Sequence, residues 1–229
     1  MDDIECSKRI IFALDVADEQ EAQKWVKLLE PRISFFKVGL QLFLSSGFKI
    51  VDWIIERGHN IMLDLKLYDI PQTVHNAVRQ LNNKGISYIT VHGDQDIIKA
   101  ACEAKEDIKV LAVTVLTSMA SKELTQMGYN RSVSELVLSR TKAALNAGAD
   151  GVVASGKEAQ MLRASCGYDF ILVTPGIRLE TTIKNDDQKR IVSPKNAIEN
   201  GATHLVIGRP IREAFDPIKL IQQIQQEIC

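Results

Sequence analysis

Phe12-Ala13-Leu14-Asp15-Val16-Ala17-Asp18 carries an apolar strand into an acidic turn, and no G-x-G-x-x-G follows it. A doubly wound sheet that binds a dinucleotide builds its first strand-to-helix turn from that glycine fingerprint. Without it, an alternating α/β chain reads as the closed alternative, a (β/α)₈ barrel. Outward from this segment the alternation runs to the C-terminus. Apolar runs at 10–16, 33–38, 61–67, 87–92, 110–116, 151–154, 170–174 and 204–207 give eight expected strands. Amphipathic spacing predicts helices between them, among others over 19–29, 41–57, 74–84, 134–147 and 218–228. The strands are continuously apolar rather than alternating, which implies burial on both faces, as in a parallel sheet covered by helices. No Pro/Ser-rich linker or low-complexity stretch interrupts the units, so residues 1–229 are expected to form one barrel domain.

Composition narrows the partners. The 229 residues are 45% hydrophobic and 25% charged, near the globular average, and 28 basic against 29 acidic residues leave a net charge of −1. That balance offers no electrostatic footprint for nucleic acid or an anionic membrane, which points to a small molecule instead. There is no apolar run of spanning length, and the start, Met1-Asp2-Asp3-Ile4-Glu5, is acidic where a signal peptide is basic, so a soluble cytoplasmic protein is expected. Cys6, Cys102, Cys166 and Cys229 lie far apart with no C-x-x-C pair, and read as reduced thiols. His59, His75, His92 and His204 are scattered too, so no protein-built metal cage is expected.

The informative charges sit in strand-like sequence. In Ile61-Met62-Leu63-Asp64-Leu65-Lys66-Leu67-Tyr68-Asp69-Ile70-Pro71, Asp64 and Lys66 are two positions apart and project to one side of a strand. The leucines on the other side would meet the helices, leaving the ion pair facing the mouth of the barrel, where barrel active sites lie. A merely structural pair is disfavoured because burying two charges costs about as much as pairing them returns. Asp15 and Lys37, at the ends of the first two strands, extend the array to neighbouring strands. Near the other end of the chain, Val173-Thr174-Pro175-Gly176-Ile177-Arg178 and Val206-Ile207-Gly208-Arg209-Pro210 close strands seven and eight. Loops there often hold phosphate through glycine backbone N–H groups and an arginine. Two connections, 117–131 and 178–193, exceed ordinary length; the second is strongly polar and is expected to be a lid over the phosphate.

Taken together, Ala13-Leu14-Asp15, Lys37-Val38-Gly39, Asp64 to Pro71, Val173 to Arg178 and Val206 to Pro210 resemble the orotidine 5′-phosphate decarboxylase family over all eight strands. The D-x-K-x-x-D core also occurs in Mg²⁺-dependent phosphosugar barrels, which carry a glutamate at the end of strand two; here that position is Lys37. The resemblance implies a catalytic tetrad of Lys37, Asp64, Lys66 and Asp69, with Asp69 and Thr73 reaching into the neighbouring subunit of a homodimer. It further implies that Asp15 and Lys37 hold the ribose and Thr117 the pyrimidine, a contact that Ser118 could share. Pro175 would wall the base, with Arg178 in a ligand-binding position, and Gln188, Gly208 and Arg209 would take the phosphate. The implied reaction is decarboxylation to uridine 5′-monophosphate with Lys66 as proton donor, without metal or cofactor. A Mg²⁺-dependent lyase or isomerase of the sister families and a non-catalytic nucleotide-binding barrel are the competing readings.

Overall fold

Eight parallel strands close on themselves in sequence order in the computed structural model, which describes residues 4–179 and 190–229. They are β1 (Ile10–Ala13), β2 (Phe35–Gly39), β3 (Asn60–Leu67), β4 (Tyr88–His92), β5 (Lys109–Val113), β6 (Gly151–Val153), β7 (Ile171–Thr174) and β8 (His204–Ile207). β1 pairs with both β2 and β8, which closes the barrel. Every expected strand is present, shortened at some ends.

Strand parity divides the apolar residues into two cores. Ile10 and Phe12 point outward into a large cluster shared with the surrounding helices, whereas Ile11, Ala13, Phe35, Met62, Leu111, Val173 and Val206 fill the barrel interior. Since side chains alternate, the next inward position above Ala13 is Asp15, above Phe35 is Lys37, above Met62 is Asp64, above Val173 is Pro175 and above Val206 is Gly208. The floor of the site is thus the top layer of the interior core. The turn after β1 ends in Asp18, whose carboxylate accepts the Glu21 N–H at 2.9 Å and caps the helix Glu19–Leu29. Asp18 is a helix cap, and Asp15 is left for the mouth.

Several local expectations are corrected. The predicted helix over 41–57 is two helices, Leu40–Ser46 and Phe48–Glu56, because Gly47 between them takes a φ of 56°, a left-handed conformation that suits glycine. The one predicted over 74–84 is Pro71–Arg79, started by a proline at the position where its missing N–H costs nothing. The connection at 117–131 carries its own helix, Ser121–Gln126, and is no structureless loop. The cysteine reading is also overturned for one pair. Cys6 and Cys229 form a disulfide, with Cα atoms 5.9 Å apart, while Cys102 and Cys166 are free thiols. A separation of 223 residues reads as distance in a sequence. In a closed barrel, pairing of β1 with β8 brings the helices Cys6–Arg9 and Pro217–Ile228 together at the N-terminal face.

Candidate active site

At the C-terminal mouth, a cavity of about 250 Å³ is lined by Asp15, Lys37, Asp64, Lys66, Thr117, Ser118, Pro175, Arg178, Gly208 and Arg209, among others. Residues on or following six strands, β1, β2, β3, β5, β7 and β8, therefore converge there. Gln188 lies outside the described residues. Asp69 and Thr73 do not line this cavity: both are exposed, and Asp69 accepts the Ile70 N–H at 2.7 Å.

The charges alternate. Lys37 Nζ, on a side chain 9% exposed, is 2.8 Å from Asp15 Oδ1 and 3.6 Å from Asp64 Oδ2. Lys66 Nζ is 2.8 Å from the other Asp64 oxygen. Burial alone would push the Lys37 ammonium toward losing its proton, but the carboxylates of Asp64 and Asp15 outweigh it and hold its pKa above the ordinary lysine value. Burial would likewise raise Asp64, yet Lys37 and Lys66 override it and hold the carboxyl below its usual range. Gly39 sits against the Lys37 head: a Cβ there would be 3.0 Å from Nζ and 3.4 Å from Asp15 Oδ1.

Asp64 and Lys66 do not sit on a regular strand. Between Leu63, paired with Ile89, and Leu67, paired with Val91, β3 takes four steps while β4 takes two. The extra chain is a bulge in which Lys66 adopts a φ of 50°, a left-handed conformation uncommon for a residue with a Cβ. Such strain persists only where surrounding contacts over-determine it, and it clusters at functional sites. Thr90 supplies the contacts here. Its hydroxyl, fully buried, accepts the Lys66 backbone N–H at 2.9 Å and donates to Asp64 Oδ1 at 2.9 Å. Sequence reasoning missed Thr90. Its signal was a lone aliphatic hydroxyl in Tyr88-Ile89-Thr90-Val91-His92, at the inward parity of that strand.

The donor set does not suit a divalent cation. An ammonium stands between Asp15 and Asp64, where an added positive ion would be repelled, and the described residues include no group of three or more His, Cys, Asp or Glu side chains placed to hold a metal. What the arrangement offers is a fixed row of opposite charges above an apolar floor, flanked by Gly208 and Arg209 on one side and Thr117 and Ser118 on another. No helix among the described residues is long and apolar enough to cross a membrane.

Comparison with known proteins points to one family. A profile described as "Orotidine 5'-phosphate decarboxylase / HUMPS family" matches residues 8–224. Orotidine 5′-phosphate decarboxylase of Methylococcus capsulatus is 44% identical over 226 residues, spanning 98% of this chain and 93% of the relative. The enzyme of the same name from Xanthomonas euvesicatoria is 45% identical over 225 residues, 96% of this chain and 92% of the relative. Among solved structures, orotidine 5′-phosphate decarboxylase from Lactobacillus acidophilus superposes with a TM-score of 0.85 at 36% identity, covering 96% of this chain and 99% of that one.

Proposed function

The chain belongs to the orotidine 5′-phosphate decarboxylase / HUMPS family, and from that premise we propose that it decarboxylates orotidine 5′-phosphate to uridine 5′-monophosphate in pyrimidine biosynthesis, using its own side chains and no metal or cofactor. The observation that carries the reading is the Lys37 ammonium, held between Asp15 and Asp64 at 2.8 and 3.6 Å. It occupies the place where a Mg²⁺-dependent relative would need a carboxylate.

Loss of CO₂ breaks the bond between C6 and the carboxylate carbon and leaves the electron pair on C6, in an sp² orbital that the ring delocalises poorly. The barrier is electrostatic, and a positive charge fixed beforehand beside C6 lowers it. Lys66 fills that role and then transfers its proton to C6, so the products are uridine 5′-monophosphate and CO₂, and the amine regains a proton from solvent. Asp64 and the neighbouring subunit's Asp69 flank the departing carboxylate, and Asp64 with Asp15 keeps Lys37 charged. Asp15 and Lys37 hold the ribose, Thr117 and Pro175 hold the base, Arg178 makes a further ligand contact, and Gln188, Gly208 and Arg209 hold the phosphate.

The working form is a homodimer in which Asp69 and Thr73 complete the neighbouring site. Supporting this, Asp69 lies outside its own cavity between two exposed apolar side chains, Tyr68 and Ile70. A cytoplasmic location follows from a nucleotide substrate made and used inside the cell. The test is conversion in excess EDTA, followed by loss of orotidine 5′-phosphate and appearance of uridine 5′-monophosphate. Full activity under chelation supports the reading. Activity that disappears and returns with Mg²⁺ contradicts it, as does a well-folded protein without turnover.

A further inference from the structure

Arg190 is a buried charge that the mechanism above does not use. Its side chain is 8% exposed and pairs at 2.9 Å with Glu158, itself 5% exposed, on the helix Gly156–Cys166. The second guanidinium nitrogen donates to the carbonyls of Val115 at 2.9 Å and Leu116 at 3.1 Å. Both carbonyls lie beyond the end of β5, and that of Leu116 also accepts the Met119 N–H at 2.9 Å. The backbone carbonyl of Arg190 in turn accepts from the fully buried Ser155 hydroxyl at 3.0 Å. Two residues on, Val192 bridges back to the segment after β7: the Arg178 N–H donates to the Val192 carbonyl at 3.0 Å, and the Val192 N–H donates to that of Gly176 at 3.3 Å.

The consequence is geometric. Val115 to Ser118 and Pro175 to Arg178 are separate walls of the cavity. They come from strands that are not neighbours in the barrel, so no sheet hydrogen bond sets the distance between them. The short stretch Arg190 to Val192 touches both. A buried ion pair adds little net stability compared with apolar side chains of similar size, so folding alone gives weak reason to keep a guanidinium here. A planar fork that bonds one carboxylate oxygen and two carbonyls at once fixes positions as an apolar side chain cannot.

We propose that Arg190 is a positioning residue that sets the spacing of the two walls gripping the pyrimidine. It acts on the base half of the ligand, leaving the ribose and phosphate contacts intact. This rests on the decarboxylase reading for the identity of the base.

The test pairs two variants with two ligands. Arg190→Lys keeps the charge but not the fork, and Arg190→Met with Glu158→Leu removes both charges together, so that neither is left buried alone. Binding of uridine 5′-monophosphate, which has the base, is compared with that of ribose 5-phosphate, which lacks it, and turnover of orotidine 5′-phosphate is measured alongside melting temperature. A misplaced wall is expected to cost about 100-fold in kcat/KM and to weaken the nucleotide, while ribose 5-phosphate changes by less than about threefold. Equal weakening of both ligands, or kcat/KM within about threefold of wild type in a folded variant, overturns the assignment. If the apolar pair fails to fold, Arg190→Lys decides by the same criteria. Absence of turnover in the wild-type chain refutes the decarboxylase reading separately, and the two affinities still judge Arg190.

Discussion

Lys37 reaches across the step from β2 to β3 and places its ammonium 3.6 Å from Asp64, although strand register sets Gly39, not Lys37, opposite that aspartate. The long lysine stem climbs two residues along its own strand, and Gly39 leaves the room for it. Each charge then holds the other ionised against the pull of burial. Asp64 is held below its unfolded value near 3.8, so its contribution is present above that pH and lost as pH falls through the lower folded value. Lys37 is held above 10.5, so its contribution is present below that pH and lost as pH rises through the higher folded value. The pair should therefore add no limb to the kcat/KM profile between about pH 4 and 10. A limb inside that window that disappears in Lys37→Ala or Asp64→Asn contradicts the coupling.

Thr90 ties the strained Lys66 backbone to the Asp64 carboxylate, and Thr90→Val removes both bonds at nearly constant volume. An unpaired buried N–H should lower stability by about 1–3 kcal/mol. Loosening of the dyad should lower kcat by about 10- to 100-fold with little change in KM. Thr90→Ser should recover most of the loss. Denaturant unfolding and steady-state kinetics check the two effects, and wild-type kcat in Thr90→Val would count against the role.

At the opposite face of the barrel, His204 is buried between the rings of Phe35 and Tyr88. Burial, with a smaller contribution from Arg9, pushes its pKa from 6.5 down to about 4. The unfolded chain binds that proton more readily, so stability is fully present above about pH 6.5 and falls toward pH 4, by a total on the order of 3 kcal/mol. His204→Phe should flatten this part of the curve in urea unfolding at pH 4.5 and 7. Equal sensitivity in the variant argues against a buried neutral imidazole as the cause.

The Cys6–Cys229 bond joins the two ends of the barrel at the face away from the site. Closing a loop of 223 residues is worth about 5 kcal/mol in the chain-entropy account. Reduction, or Cys6→Ser with Cys229→Ser, should lower the melting temperature by about 10 °C while leaving turnover unchanged. An unchanged melting temperature would show that the bond adds nothing.

Eight apolar runs alternating with amphipathic helices made the barrel legible, and the two-residue spacing of Asp64 and Lys66 marked its charged mouth; the structure extends that alternation to Ala13/Asp15 and Phe35/Lys37. Alternation also concealed the bulge. Leu63, Leu65 and Leu67 suit a regular strand, and nothing local reveals that Lys66 turns to a positive φ. Threonine is an ordinary strand former, which hid Thr90, and an apolar helical period runs through Gly47 as if the helix were unbroken. The Cys6–Cys229 contact and the Arg190 clamp depend on closure and on loops meeting in space, which residue spacing does not encode. For the roles of Asp69 and Thr73 the sequence offered only a resemblance, since neither lines its own cavity.

The most direct measurement is the single-turnover rate of Lys66→Ala on orotidine 5′-phosphate, with uridine 5′-monophosphate affinity measured on the same preparation. Loss of both the preset charge and the proton donor predicts a fall of about 10⁴-fold or more in a variant that still folds and binds the product. A fall of less than about tenfold, roughly 1.4 kcal/mol, would mean that the C6 carbanion is stabilised and protonated by some other group.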